Sequence, residues 1–194
     1  VDSHLVRWAR EVGNMNVDTF IIPSDCPRFQ SGDAKGLVKA STRGDDLYIF
    51  VDPGNYSVTY QLFGYENHLS PDDHFQNLMR LIQAVAGRAH RISVIMPSLY
   101  GGRQHRRVSR ESLDCAFALQ QLRDVGVKNI ITFDAHDPRV MNAVPTMSYD
   151  NVMPTYQVLK CLLHHVPDVS FHKDNFMIVS PDEGAMNRNM YYSS

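Results

Sequence analysis

The 194-residue sequence is poor in cysteine and has no long apolar segment. Its three cysteines, Cys26, Cys115 and Cys161, are odd in number and form no CxxC pair, so a reducing, cytoplasmic compartment is expected. No apolar run approaches the ~18–20 residues that a membrane span requires, and no membrane partner is expected. The opening residues VDSHLVRWARE predict an amphipathic helix rather than a signal peptide.

Two common nucleotide-binding motifs are also missing. The sequence contains no GxxxxGK[ST], which excludes a P-loop protein, and no GxGxxG, which leaves a Rossmann dinucleotide site without support. The formal net charge is -2 and the pI is about 6.5, whereas a general nucleic-acid binder usually carries a basic excess. We therefore expect no nucleic-acid partner, and any anion site must be local.

Apolar strand patterns alternate with amphipathic helix patterns along the chain. Strands are predicted at 18–22, 46–51, 91–97, 128–133 and 175–180. Helices are predicted at about 2–13, 70–87, 111–126 and 154–165. Residues 53–69 have no clear period and predict a long loop or a hairpin. This alternation indicates an α/β fold with a doubly wound, mainly parallel sheet, which binds ligands outside the carboxyl ends of its strands.

An arginine-rich segment, SLYGGRQHRRVSRE (98–111), follows the predicted strand 91–97. Gly101 and Gly102 allow a close approach of the backbone to a ligand. Planar guanidinium groups could pair with phosphate oxygens, and the segment supplies four of them, Arg103, Arg106, Arg107 and Arg110. From this segment alone, an exposed charged loop is an equally good interpretation.

Acidic clusters follow two further predicted strands. TFDAHD (132–137) places two aspartates and His136 within four residues, which suits Mg²⁺ but also a capped loop with a structural histidine. SPDEG (180–184) adds Asp182 and a glutamate, which could hold a metal or a sugar hydroxyl, or simply cap a helix. One basic and two acidic strand ends at the same edge of a sheet favour a metal–phosphate substrate such as Mg-nucleotide.

Five segments, in order, resemble the ribose-phosphate pyrophosphokinase (phosphoribosyl pyrophosphate synthetase) family. RFQSGDAKGLVKASTRG (28–44) is similar to the family segment from a Phe-Ser-Asn/Asp-Gly-Glu motif to Arg-Gly. FQNLMRLIQAVAGRAHRISVIMP (75–97) resembles the helix and strand before the nucleotide loop, and GGRQHRRVSR (101–110) resembles its Ala-Arg-Gln-Asp-Arg-Lys-Asp loop. ITFDAHD (131–137) is similar to Thr-Met-Asp-Leu-His, and IVSPDEG (178–184) is similar to Val-Ser-Pro-Asp-X-Gly.

The resemblance implies a phosphoribosyltransferase-like fold and a specific reaction. ATP would transfer diphosphate to the 1-hydroxyl of ribose 5-phosphate with Mg²⁺ as cofactor, giving phosphoribosyl pyrophosphate and AMP. By motif position, the resemblance assigns ATP contacts to Arg103 and Gln104. It assigns a catalytic contact with the metal–triphosphate to His136, and it places Asp182 near the metal and the ribose phosphate.

The resemblance also carries expectations about assembly and domains. Phe29, Ser31 and Asp33 would contact a nucleotide, in this family often one on a neighbouring subunit, so a homo-oligomer is expected. Ser31 and Asp33 stand where the family usually has Asn/Asp and Glu. Residues 1–152 would form the amino-terminal pyrophosphokinase-like domain, and residues 153–194 would begin a second, truncated phosphoribosyltransferase-like domain.

Departures from the family leave alternatives open. His105 and Val108 stand where the nucleotide loop has acids, the loop is one residue shorter, and 53–69 is longer than its equivalent. The family's catalytic basic loop and phosphoribosyl-binding loop would lie beyond Ser194, so we expect a fragment that is inactive alone. One alternative is a non-catalytic regulatory or scaffold subunit of a synthetase. Another is an unrelated nucleic-acid binder that uses the arginine-rich loop.

Overall fold

The computed structural model describes residues 1–193. In chain order the strands are β1 (Ser24–Asp25), β2 (Leu37–Val38), β3 (Asp46–Phe50), β4 (Thr59–Leu62), β5 (Tyr65–His68), β6 (Arg91–Ile95), β7 (Asn129–Phe133) and β8 (Ser148–Val152). The α-helices are α1 (Asp2–Glu11), α2 (Pro71–Val85), α3 (Asp114–Asp124), α4 (Thr155–His165) and α5 (Met186–Ser193). Short 3-10 helices cover Pro138–Ala143 and Glu183–Ala185. Across these residues, no helix combines the length and the apolar character that crossing a bilayer demands.

The central sheet is parallel and has the strand order β3-β6-β7-β8. Each crossover therefore moves one position in the same direction across the sheet. Ile92, Val94 and Ile130 are buried in one core with the apolar faces of α2 and α3. The expected α/β fold with a mainly parallel sheet is confirmed, and all four carboxyl ends lie at one edge.

Helix α2 begins as its sequence predicts. The Asp73 backbone N–H donates to Ser70 Oγ over 3.1 Å, and the Ser70 N–H donates to Asp73 Oδ2 over 3.0 Å, which completes a capping box. Pro71 occupies the first turn, where its missing N–H costs nothing. The buried face of the helix consists of Phe75, Leu78, Ile82 and Val85. These residues fix α2 over the sheet.

Of the two alternatives for 53–69, a long loop or a hairpin, the structure shows a hairpin, in which β4 and β5 pair antiparallel. Phe63 and Gly64 connect them with backbone φ angles of +50° and +84°. Two consecutive left-handed residues match the twist of a tight hairpin turn, although a phenylalanine rarely adopts this conformation.

Two predicted strands are wrong. Residues 18–22 form no strand, because Thr19 Oγ1 and the Phe20 N–H donate to the Asp2 carboxylate over 2.9 and 2.7 Å. The segment therefore bonds to the start of α1 rather than to a strand. Residues 175–180 are also irregular. Met177 is 81% exposed and Val179 is 72% exposed, while the Phe176 ring packs against Phe171 with centroids 4.8 Å apart.

Strand β8 was not predicted from the sequence. Its residues SYDNV are mostly polar, and the strand lies at the edge of the sheet next to β7. Only Tyr149 and Asn151 are half-buried, so the apolar alternation of a core strand is missing.

Candidate functional site

The arginine-rich loop and the turn after β7 meet at the carboxyl edge of the sheet. The ring of His105, from the loop, lies 4.9 Å from the ring of His136, measured between centroids. His105 Nε2 lies 3.6 Å from Asp137 Oδ2. The structure thus brings together two clusters that the sequence suggested separately.

The turn after β7 is fixed by hydrogen bonds to the end of β8. Asp134 has a φ of +45°, a conformation in which aspartate is one of the few tolerated residues. Its N–H donates to the Val152 carbonyl over 3.0 Å, and the Ala135 N–H donates to Asn151 Oδ1 over 2.9 Å. His136, the next residue, is exposed at this edge.

The Asp137 carboxylate is committed to Arg139. Arg139 donates to it from its backbone N–H over 2.9 Å, from Nε over 2.9 Å and from Nη2 over 2.6 Å. The side-chain hydrogen bonds from Arg139 have the largest effect. Together with the backbone hydrogen bond, they hold the pKa of Asp137 well below its usual range. Asp137 is therefore ionised at neutral pH and paired with the exposed guanidinium of Arg139.

We expect Asp137 to make stability depend on acid pH. Because its pKa is lower in the folded chain, its contribution is fully present above the ordinary value of 3.8 and is lost as the pH falls below it. Urea unfolding across a pH series should show wild type more stable than Asp137→Asn near neutral pH, with the difference shrinking below pH 3.8. In an Arg139→Gln background, the effect of Asp137→Asn on the free energy of unfolding should depend much less on pH. A difference that stays constant at all pH values would contradict this account.

Positive charges surround His136. The pKa of His136 is lowered first by desolvation, and then by His105, Arg188 and Arg103 in that order. Asp137 opposes this lowering only in part. A lowered pKa keeps the imidazole neutral near neutral pH, so a ring nitrogen lone pair is available to a metal. The guanidinium groups of Arg188 and Arg103 would attract a polyphosphate.

Arg188 is a site residue that sequence reasoning missed. It lies in α5, and its Nε lies 3.1 Å from Asp134 Oδ1 while its Nη2 donates to the Asp134 carbonyl over 3.4 Å. It thereby joins the segment after SPDEG to the turn that carries His136. The available signal was position alone, because Arg188 follows Gly184 by one helical turn.

Arg103 and Gln104 lie on the exposed part of the loop, as a ligand-binding role requires. The backbone before them forms a tight turn, since the Gln104 N–H donates to the Gly101 carbonyl over 2.8 Å. Gly101 has a φ of +65°, and a Cβ there would lie 3.1 Å from the Cys115 nitrogen. The glycine therefore lets the loop pass close to the start of α3.

Asp182 acts as a helix cap in this structure. Its Oδ1 accepts a hydrogen bond from the Ala185 N–H over 2.9 Å. Within residues 1–193, no three His, Cys, Asp or Glu side chains converge in a way that could hold a metal ion. A metal role for Asp182 therefore stays a prediction.

The third predicted group, Phe29, Ser31 and Asp33, forms a separate turn. The Phe29 N–H donates to the Asp33 carbonyl over 2.7 Å, and Ser31 Oγ donates to Asp33 Oδ2 over 2.8 Å. The Phe29 ring is 48% exposed. In the part of the chain that the structure describes, no hydrogen bond or ion pair joins this turn to His136.

Arg28 holds this turn against two other elements. Its Nη1 donates to the Gly32 carbonyl over 3.1 Å, and its Nη2 donates to Asp73 Oδ1 over 2.9 Å. The guanidinium carbon lies 4.3 Å from the centre of the Tyr60 ring, in the β4–β5 hairpin. The side chain of Arg28 is only 12% exposed. The largely buried guanidinium of Arg28 thus contacts the turn, α2 and the hairpin.

Arg28→Ala should lower the free energy of unfolding by about 2 kcal/mol, because it removes charge-assisted hydrogen bonds and a cation–π contact together. Arg28→Lys should recover less than half of the loss, since an ammonium cannot reach both acceptors in the fork geometry. Urea denaturation measures both changes, with the exposed Arg88→Ala as the control. Equal stability of Arg28→Lys and wild type would show that the fork geometry does not matter.

The fold and this site define an α/β protein whose parallel sheet presents a cluster of arginine and histidine side chains at the carboxyl ends of its strands. The family model described as the N-terminal domain of ribose phosphate pyrophosphokinase matches residues 8–126. The chain belongs to the ribose-phosphate pyrophosphokinase family.

Individual relatives agree with this assignment at low identity. The chain is 24% identical over 163 residues to a ribose-phosphate pyrophosphokinase of Staphylococcus aureus, an alignment that covers 83% of this chain and 45% of the relative. It is 24% identical over 176 residues to the enzyme of that name from Maricaulis maris, covering 89% of this chain and 50% of the relative. The chain spans about half the length of the curated relatives it matches.

A solved structure agrees with the fold. The crystal structure of phosphoribosylpyrophosphate synthetase from Mycobacterium smegmatis aligns with a TM-score of 0.70 and 18% identity. The alignment covers 99% of this chain and 57% of that one.

Proposed function

We propose that this chain supplies the ATP-binding part of a ribose-phosphate pyrophosphokinase. The observation that carries the proposal is the convergence of the arginine-rich loop and the β7 turn on His136, in a member of this family. Arg103 and Gln104 would bind ATP, and His136 would contact the triphosphate and its metal. Arg188 adds positive charge to the same place.

Mg²⁺ is the proposed cofactor, and the residues near His136 fit a magnesium ion that is bound mainly by the triphosphate. Two of the nearby carboxylates, Asp134 and Asp137, are already paired with arginines. His136 offers a neutral ring nitrogen. Mg²⁺ usually keeps several waters and takes phosphate oxygens as ligands, so it would arrive with the triphosphate rather than occupy a cage of protein side chains. When bound, it would neutralise part of the triphosphate charge.

The proposed reaction is an in-line displacement at the β-phosphorus of ATP. The 1-hydroxyl oxygen of ribose 5-phosphate forms the new bond, the bond from the β-phosphorus to the α–β bridging oxygen breaks, the hydroxyl proton is released, and AMP leaves. Arg103 would orient the triphosphate, and the charges near His136 would stabilise it as the bond breaks. Positioning and charge neutralisation are the main contributions a protein makes to such a transfer.

The remaining parts of the proposal concern assembly and the rest of the site. Phe29, Ser31 and Asp33 would contact a nucleotide on a neighbouring subunit in a homo-oligomer, which suits their place on an exposed turn. Residues 1–152 would form the first domain, and residues 153–194 would begin the second, with Asp182 near the ribose phosphate. A cytoplasmic location suits three cysteines that are all free.

The experiment is AMP formation by the complete natural protein, given MgATP with and without ribose 5-phosphate. The proposal predicts AMP that depends on ribose 5-phosphate, and no AMP from residues 1–194 alone. If a folded complete protein with measurable MgATP affinity makes no AMP, the catalytic proposal is wrong.

A second candidate is a non-catalytic subunit of a synthetase, favoured by His105 and Val108 in place of the family's loop acids. This candidate predicts co-purification with an active relative and little activity of the pure protein. Turnover by the pure protein at a rate typical of metabolic enzymes, about 1 s⁻¹ or more, would exclude it.

A further inference from the structure

His105 lies in an unusual position for a loop residue. Its side chain is 10% exposed, although its neighbours Arg103 and Arg106 are both exposed. The ring lies close to both the imidazole of His136 and the carboxylate of Asp137. Among residues 103–110, His105 is therefore the one residue that is not exposed, and it faces the turn after β7.

The contacts of His105 are close but incomplete. Its Nε2 is 3.6 Å from Asp137 Oδ2, an ion-pair distance rather than a hydrogen-bond distance. Its Nδ1 is buried and has no hydrogen-bond partner. A buried unpaired nitrogen costs free energy, so this ring is poorly explained as a residue that serves stability alone.

A cavity of about 310 Å³ adjoins the ring. It is lined by His105, Arg106, Asp137, Arg139 and Val140. Open space thus adjoins the ring.

We propose that His105 is a positioning residue that docks the arginine-rich loop against His136 and Asp137 and so places Arg103 and Gln104 for the triphosphate. The proposal rests on the proposed function and names how its ATP contacts are arranged. His105 acts through its neighbours and is not assigned any contact with the reacting atoms.

The charge of Asp137 explains why a histidine stands here rather than an acid. A carboxylate at position 105 would lie beside the fixed negative charge of Asp137, and two like charges at this distance repel. A histidine at the same place meets that carboxylate favourably. Arg139 fixes the carboxylate from the other side with three side-chain hydrogen bonds. The histidine at position 105, where the family's loop has an acid, is therefore explained by the aspartate at position 137.

The first test compares steady-state kinetics of full-length variants. His105→Ala should raise the KM for MgATP about tenfold, as contacting residues of one network typically do, and should leave the KM for ribose 5-phosphate nearly unchanged. The exposed His90→Ala, at the opposite edge of the sheet, is the matched control. Equal KM values for MgATP in wild type and His105→Ala would overturn the proposal.

The second test exploits the charge argument. His105→Asp should be worse than His105→Asn, and adding Asp137→Asn to His105→Asp should restore most of the lost MgATP affinity. The double variant removes the repulsion and leaves one carboxylate at position 105, where the family's nucleotide loop has an acid. If Asp137→Asn makes His105→Asp worse or leaves it unchanged, the two positions are not coupled and the proposal fails.

A third measurement separates this proposal from the proposed function. Hydrogen–deuterium exchange of residues 98–113 in the full-length protein, without any ligand, reports loop docking directly. Faster exchange in His105→Ala than in His90→Ala would support docking even if the protein made no AMP. The same exchange in both variants would overturn docking even if the protein were an active synthetase.

Discussion

Replacing Arg103 with alanine should weaken MgATP binding about 10- to 100-fold, measured by isothermal titration of the complete protein. Charge-assisted hydrogen bonds between a guanidinium and phosphate contribute roughly 1.5–3 kcal/mol, and each 1.4 kcal/mol is about tenfold in affinity. Arg103 is exposed at the carboxyl edge and lies near enough to His136 to lower its pKa. Its guanidinium is therefore available to a ligand at the same place.

The control for Arg103→Ala is Arg88→Ala. Arg88 is also exposed, but it precedes β6 and so lies at the opposite edge of the sheet. Both variants lose one positive charge, so a general effect of net charge on a polyanion would weaken both equally. The account requires the loss to be confined to Arg103→Ala, and unchanged affinity of that variant would remove Arg103 from the site.

His136→Ala should lower the kcat of the complete protein about 100-fold and change the KM for MgATP much less. Removing one preorganised group that stabilises developing charge typically costs this much in rate. The prediction depends on a ring that is neutral near neutral pH, which desolvation favours first, and then His105, Arg188 and Arg103, by lowering the pKa of His136.

The pH profile adds an independent readout for His136. If a neutral ring is required, kcat should fall on the acid side as His136 becomes protonated, and the acid limb should be missing in His136→Ala. His90→Ala, which removes an exposed histidine far from the site, should keep both the rate and the limb. Unaltered turnover of His136→Ala would show that the histidine is structural.

The elements that the sequence predicted well are those with strong local signals. Helix α2 has a serine cap, a proline in its first turn and an apolar stripe, and the structure shows all three. Strands β6 and β7 are short apolar runs buried in the core, so their pattern reflects their surroundings directly.

The elements that failed depend on distant partners. Residues 18–22 look like a strand, but Asp2 takes their hydrogen bonds, and no local rule reveals an acceptor about 17 residues away. Strand β8 is polar because it pairs at an edge, so its identity depends on β7 rather than on its own composition. In residues 175–180, Met177 and Val179 remain exposed, and Phe176 packs against Phe171 rather than in a sheet.

The candidate site shows the same division. The glycines and arginines of the loop and the DxH motif after β7 mark the correct edge, because the fold class places strand ends together. The particular neighbours do not follow from the motifs. The contacts of His105 with Asp137 and of Arg188 with Asp134 join segments 32 and 54 residues apart in sequence. Only the tertiary structure reveals them.

The most direct test of the central claim follows the β-phosphate of ATP. The complete protein is incubated with Mg²⁺, ribose 5-phosphate and ATP labelled at the β-phosphorus, and the labelled products are separated. The account predicts label on the sugar as a diphosphate ester, with unlabelled AMP in equal amount. Label remaining in ADP, or released as free diphosphate without a sugar product, would contradict diphosphate transfer by this protein.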